Sequence, residues 1–187
     1  MDNPFAAVID AFPAPLKADA STVAVRLVQD GGWRAFSDGF AVIVSGEAVT
    51  IPYRLYIEEV VDRSTYSPTE LAVLDCLQTR HHNGYVRERA LGRILTLNAS
   101  WSVPFVIQLV AEYVVQILHL IESRWAEVDA RLVGRFLVAN QAFHSLVRQR
   151  VNSYWNCYYR RASPNRRDYV GQRLLNRLDE AVESVDG

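Results

Sequence analysis

Lysine is almost missing from this sequence: Lys17 stands alone against nineteen arginines. A GC-rich coding sequence gives that bias without selection for chemistry, so arginine identity says little and arginine position says more. Cysteine is as scarce. Cys76 and Cys157 lie 81 residues apart, which excludes a disulfide framework or a zinc ribbon and suits a reducing compartment. The opening "MDNPFAAVIDAF" lacks a basic n-region and carries acids where a signal peptide is apolar, so a cytoplasmic protein is expected. Catalytic signatures are lacking too: there is no glycine-rich phosphate loop, no G-x-S-x-G and no H-E-x-x-H. Of four histidines, His81 and His82 are adjacent in a turn, and Gln116-x-x-His119 falls one residue short of the Glu-x-x-His of di-iron bundles. His144 is 13 residues upstream of Cys157, too poorly phased to serve it as a base. No catalytic residue, metal site or cofactor is therefore expected.

A purely apolar run of membrane length is also lacking. The nearest, "VPFVIQLVAEYVVQILHLI" at 103–121, is long enough to span a bilayer. Within it and just beyond, Gln108, Glu112, Gln116, His119 and Ser123 recur at spacings of 4, 4, 3 and 4. On one helix they occupy about 80° of a single side, and a central glutamate is costly in lipid. The run is expected to form one long helix, 103–124, buried at the centre of a helical domain, with no membrane partner. Its Glu112 is expected to pair internally with Arg89 or Arg93.

Half of the 187 residues are apolar, ample for the packed core of one domain, with or without an appendage. The net charge of −1 hides an uneven distribution. Residues 1–78 hold five basic and eleven acidic residues, and residues 79–187 hold fifteen and ten. Between 131 and 177 there are ten arginines and one acid, Asp168. Codon bias explains the arginines but not the scarcity of acids.

Periodicity predicts a short helix around Phe5–Phe12, a "PAP" linker and a further helix over 21–30. The β-branched and aromatic runs "FAVIV" (40–44) and "AVTIPYRLYI" (48–57), joined by "SGE", predict a hairpin. Pro52 keeps its second strand at an edge. Beyond an acidic bridge everything reads as helix. Ser67, Pro68 and Glu70 supply an N-cap, a proline in the first turn and a capping-box acid. That helix runs to about Arg80, and Asn83-Gly84 offers a left-handed stop. Further helices are predicted from Tyr85 to Leu97, over 128–160 as one or as two broken near Asn140, and from Ser163-Pro164 to about Val182. The fold class is thus mainly α (α+β): an acidic N-terminal segment, 1–66, with a short helix and a β-hairpin, then a multi-helix part, 67–187, with an arginine-rich face.

Three stretches share a register. "NGYVRERALGRIL" at 83–95 matches "RDYVGQRLLNRLD" 84 residues later, and half that offset lands in "EVDARLVGRFL". Each has Val-x-x-Arg-x-aliphatic-x-Arg-apolar at a period of 42, in the range of helical repeats. The phrase "NGYVRERALGRIL" resembles the second helix of a HEAT repeat, where Asp or Asn precedes Val-Arg and an Ala-Leu pair packs inward. That resemblance covers about residues 68–185 and implies a HEAT-like α-solenoid; an irregular bundle is the other arrangement these helices allow. Arg89/Arg93, Arg131/Arg135 and Arg173/Arg177 are each an i, i+4 pair on one helix face. Stacked by repeat they would make a stripe for a polyanion. Otherwise they are internal partners of Glu88, Glu112, Glu122 and Glu127.

A second arginine-rich stretch is "RQRVNSYWNCYYRRASPNRR" at 148–167. Here Arg148, Arg150, Arg160, Arg161, Arg166 and Arg167 flank Tyr154, Trp155, Tyr158 and Tyr159. Basic residues interleaved with aromatics suit phosphates and bases, although i, i+4 packing of the rings in a core is an equal use. The function expected is binding of a polyanion, most concretely nucleic acid, by these arginines with Tyr154 and Trp155. The alternative is a protein–protein adaptor that docks an acidic protein surface or assembles as a homo-oligomer, its acidic part meeting the basic part of another copy.

Overall fold

The computed structural model describes residues 5–29, 34–35 and 38–186. Pro13 separates a one-turn helix α1 (Ala6–Ile9) from a 3-10 turn, Ala14–Leu16, that leads straight into α2 (Lys17–Gln29). Val23, Leu27, Ala20 and Ala24 recur at helical spacing and are all buried, which decides the ambiguous "STVAVRLVQD" as helix. Strand β1 (Arg34–Ala35) precedes β2 (Gly39–Val44) and β3 (Glu47–Pro52), which pair antiparallel with Val42 opposite Val49. Ser45 and Gly46 close the hairpin with positive φ at both, 51° and 87°, a turn whose twist matches that of the strands it joins. Pro52 ends the ladder instead of lying within it. The expected long second strand is therefore two pieces, since β4 (Leu55–Tyr56) pairs with β1.

The capping box forms as the sequence predicts. Ser67 Oγ accepts from Glu70 N at 3.2 Å and Glu70 Oε2 accepts from Ser67 N at 2.7 Å, opening α3 (Pro68–Gln78). The next boundary is of another kind than expected. Asn83 is extended, at φ −81° and ψ 123°, and its side chain accepts from Tyr85 N at 3.0 Å. Asn83 starts α4 (Gly84–Ile94) as an N-cap and does not stop α3 with a left-handed turn, because its side-chain oxygen meets an orphan N–H there.

The chain divides into two compact units, Met1–Leu97 and Asn98–Gly187. α3 and α4, expected with the helical part, belong to the first: α3 packs on α2, α4 on α3, and α1 on β3. Phe12, Ile51, Leu55, Leu74, Leu77 and Leu91 form its core. The second unit begins with Asn98, whose amide donates to Glu127 O at 3.1 Å and whose Oδ1 accepts from Asp129 N at 2.9 Å.

In this second unit the single helix expected over 103–124 is two, α5 (Val103–Val110) and α6 (Val115–Ser123). Tight i→i+3 bonds from Ala111 N and Glu112 N close α5, and Val114 is extended at φ −81° and ψ 100°. Tyr, Val and Val in succession are weak helix formers and let the chain turn there. The polar stripe is accordingly cut in two: Gln108 and Glu112 are buried, whereas Gln116, His119 and Ser123 are exposed. Asp129 caps α7 (Ala130–Ala139) by accepting from Leu132 N at 3.0 Å, and Asn140, at φ −130° and ψ 52°, breaks the 128–160 stretch before α8 (Gln141–Tyr154). α8 runs on into a π-helical turn, Trp155–Tyr159, in which Arg160 N donates five residues back to Trp155 O at 2.8 Å. The last helix starts later than Ser163-Pro164 suggests. Asn165 caps a 3-10 turn, Arg166–Asp168, and only then does α9 (Val170–Asp186) begin.

Gly134 sets how closely α7 lies on α9: a Cβ there would stand 2.1 Å from Ala181 O and 2.6 Å from Val185 Cγ2. Phe105, Ile107, Leu109 and Ile117 fill the centre of this unit. Among the described residues no helix is long and apolar enough to cross a membrane.

Candidate functional site

The arginines named from the sequence fall into two groups. In the first unit, Arg89 clasps Glu59 through Nε (3.0 Å) and Nη2 (2.6 Å). Arg93 donates to Asp75 Oδ1 at 2.8 Å, and Arg63 grips the same carboxylate at 2.9 and 2.7 Å. Asp75 is buried in α3, so two guanidinium groups compensate its charge. These contacts replace the expected pairing of Arg89 or Arg93 with Glu112, because Glu59 and Asp75 lie within reach on the neighbouring bridge and helix.

In the second unit, Arg173 clasps Glu122 at 2.6 and 2.8 Å and also donates to Asp168 O. The Arg173 guanidinium holds the Glu122 carboxyl below the usual carboxylate range. Arg177 is half-buried and adds a weaker pull on the same carboxylate. Arg148 clasps Asp179 at 2.9 and 2.6 Å, with His144 Nε2 3.4 Å from the same acid. Burial, and then Arg148, push the His144 imidazole below its ordinary value. Arg150 is half-buried and engaged by a neighbour.

The remaining arginines meet no carboxylate among the described residues. Arg131 and Arg135 lie exposed on the outer side of α7, opposite Val133, Phe136 and Leu137. Arg160 sits over the Trp155 ring at 5.7 Å, while Trp155 Nε1 donates to Ser163 O at 2.9 Å and folds the loop back onto the π-turn. Arg161 and Arg167 are exposed. Arg166 Nε donates to Gln172 Oε1 at 2.6 Å, and Gln172 in turn to Asn176 at 2.8 Å. Asn165, Arg166, Arg167, Gln172 and Asn176 line an open cleft of about 360 Å³ at the start of α9.

The aromatic residues gather beside this loop. Tyr154 is half-buried, with its ring 6.1 Å from that of Tyr158. Tyr113, from the break between α5 and α6, lies 6.1 Å from each of them. The Tyr159 hydroxyl donates to Tyr113 O, and its ring stacks on Tyr169 at 5.1 Å and 19°. Burial pushes both the Tyr159 and the Tyr169 hydroxyls up. Tyr113 and the Gln172–Asn176 pair went unnoticed in the sequence. The Tyr-Val-Val run that ends α5 is the signal that sets Tyr113 apart from the helix around it.

The three repeat registers fall on α4, α7 and α9, and Val86, Leu91, Ile94, Val133, Phe136, Val170, Leu175 and Leu178 are buried in each case. Among the described residues no group of three or more His, Cys, Asp and Glu gathers as a metal ion requires. Set against protein-family models, curated proteins and solved structures, the chain matches none.

Proposed function

We propose that the protein is a non-catalytic, cytoplasmic nucleic-acid-binding module whose contact surface is the exposed arginine set of the second unit: Arg131, Arg135, Arg160, Arg161, Arg166 and Arg167. The observation that carries this reading is the division among the arginines. Arg89, Arg93, Arg148 and Arg173 are neutralised by carboxylates, while these six have none among the described residues. A guanidinium without a carboxylate keeps its planar fork of donors for an outside anion, and that fork matches a phosphate. Asp168 is the one acid between positions 131 and 177, so little local charge competes. A HEAT-like array of the helices and an irregular bundle are equally compatible with this reading.

The test is a titration of the nuclease-treated protein with fluorescent oligonucleotides at about 50 and 200 mM salt, the range over which released counterions show themselves. Affinity is expected to fall by about two orders of magnitude across that range if four phosphates are neutralised. Replacing Arg160, Arg161, Arg166 and Arg167 by Gln should flatten the salt dependence, and Arg89→Gln should leave it unchanged. Absence of binding at the lower salt would overturn the reading in favour of a protein adaptor.

A further inference from the structure

We infer that the tyrosine cluster beside the arginine loop is a stacking platform, and that the ligand of this surface is a single strand, with bases on Tyr113 and Tyr158 and phosphates on Arg160 and Arg161. This deepens the nucleic-acid reading and rests on it. Three rings, Tyr113, Tyr154 and Tyr158, stand at mutual centroid distances of 6.1 Å. Tyr158 is 64% exposed and Tyr113 53%, so two large π-faces are open to solvent where a core use would hide them. They are held from behind. Tyr159 ties its hydroxyl to the Tyr113 carbonyl and stacks on Tyr169, which is itself 2% exposed.

The π-turn explains why the rings divide in this way. An α-helix places residues 154, 158 and 159 within one wide stripe. The extra residue per turn separates Tyr158, which faces outward, from Tyr159, which faces inward, and π-turns inside α-helices are often found where a site is built. Immediately after the turn, Arg160 and Arg161 are exposed, and neither meets a carboxylate among the described residues. A row of cations next to a row of open aromatic faces is the arrangement that holds an unpaired strand, because a duplex keeps its bases stacked inside and offers the tyrosines nothing. An acidic peptide would satisfy the arginines but leave the rings unused.

The experiment compares a single strand of about 12 nucleotides, a site size typical of such surfaces, with the duplex of the same sequence, on the full chain at about 50 mM salt. Oligoglutamate serves as competitor. The single strand is expected to bind at least about tenfold tighter than the duplex and to quench tyrosine fluorescence. Tyr158→Ala should weaken single-strand binding by about five- to a hundredfold, the effect of losing one stacked base. It should leave the salt slope and the melting temperature in place, and Tyr158→Phe should keep most of the affinity. Equal binding of strand and duplex, indifference to Tyr158→Ala, or displacement by oligoglutamate at equal charge would each overturn the platform while leaving polyanion binding intact. No binding of either nucleic acid would instead remove the reading beneath it.

Discussion

At the scale of single residues, the useful distinction is between charges that are met inside the chain and charges that are not. Asp75 is met twice, by Arg63 and Arg93. Asp75→Asn would leave an amide N–H₂ facing two guanidinium groups, and a loss of about 2 kcal/mol in a urea titration is expected. The cost stays below that of a fully enclosed pair because both arginines reach solvent. Glu122 titrates below the ordinary glutamate value because Arg173 favours its charged form. A depressed native value means stability that is present at neutral pH and lost as pH falls through it. Glu122→Gln should therefore cost up to about 1 kcal/mol at pH 7, as for a partly exposed pair. The difference should close in acid, where the native side chain is neutral as well. The arginines were legible in the sequence, but their partners were not. Glu59 and Asp75 lie 30 and 18 residues from the arginines they bind, and only packing decides which acid arrives.

At the scale of elements, local chemistry was legible wherever one residue acts on its neighbours. Ser67 with Glu70 and Asn140 at the break in 128–160 formed their boundaries as read. Failures came where two local signals compete. Asn83 suits both a left-handed stop and an N-cap, and the free N–H of Tyr85 decided for the cap. The apolar density of 103–124 concealed the low helix propensity of Tyr113-Val114-Val115. Gly134 gives the firmest prediction at this scale. Gly134→Ala would drive a methyl group into the Ala181 carbonyl, so α7 must lift off α9. Destabilisation of about 1–3 kcal/mol is expected from this overpacking, against the few tenths to 1 kcal/mol gained from better helix propensity at an unhindered site. A chemical denaturation curve would read the sign directly.

At the scale of the whole molecule, each unit encloses a core of its own, and the cut between Leu97 and Asn98 severs neither. Residues 98–187, with Asn98 bonded to Glu127 and Asp129 within the same unit, are expected to fold as a separate chain with a cooperative melting transition in circular dichroism. The charge asymmetry is milder by unit than by sequence half. Residues 1–97 carry nine basic and twelve acidic residues, and residues 98–187 carry eleven and nine. Binding should follow the exposed arginines, not the net charge. The isolated 98–187 chain is thus expected to retain the oligonucleotide affinity of the full protein, and residues 1–97 to show none at about 100 mM salt, where weak non-specific attraction is largely screened.

The π-helical turn at Trp155–Tyr159 also bears on how this surface tolerates insertion and deletion. An α-helix advances about 100° per residue, so removing one residue from the turn would restore regular winding and rotate all that follows by about that angle relative to α8. Tyr158 would turn toward the interior, and Arg160 would leave the Trp155 ring. Substitutions in this segment alter one contact at a time, whereas a one-codon deletion would rephase the whole binding face at once. Length, more than composition, is the property of 155–159 on which the surface depends.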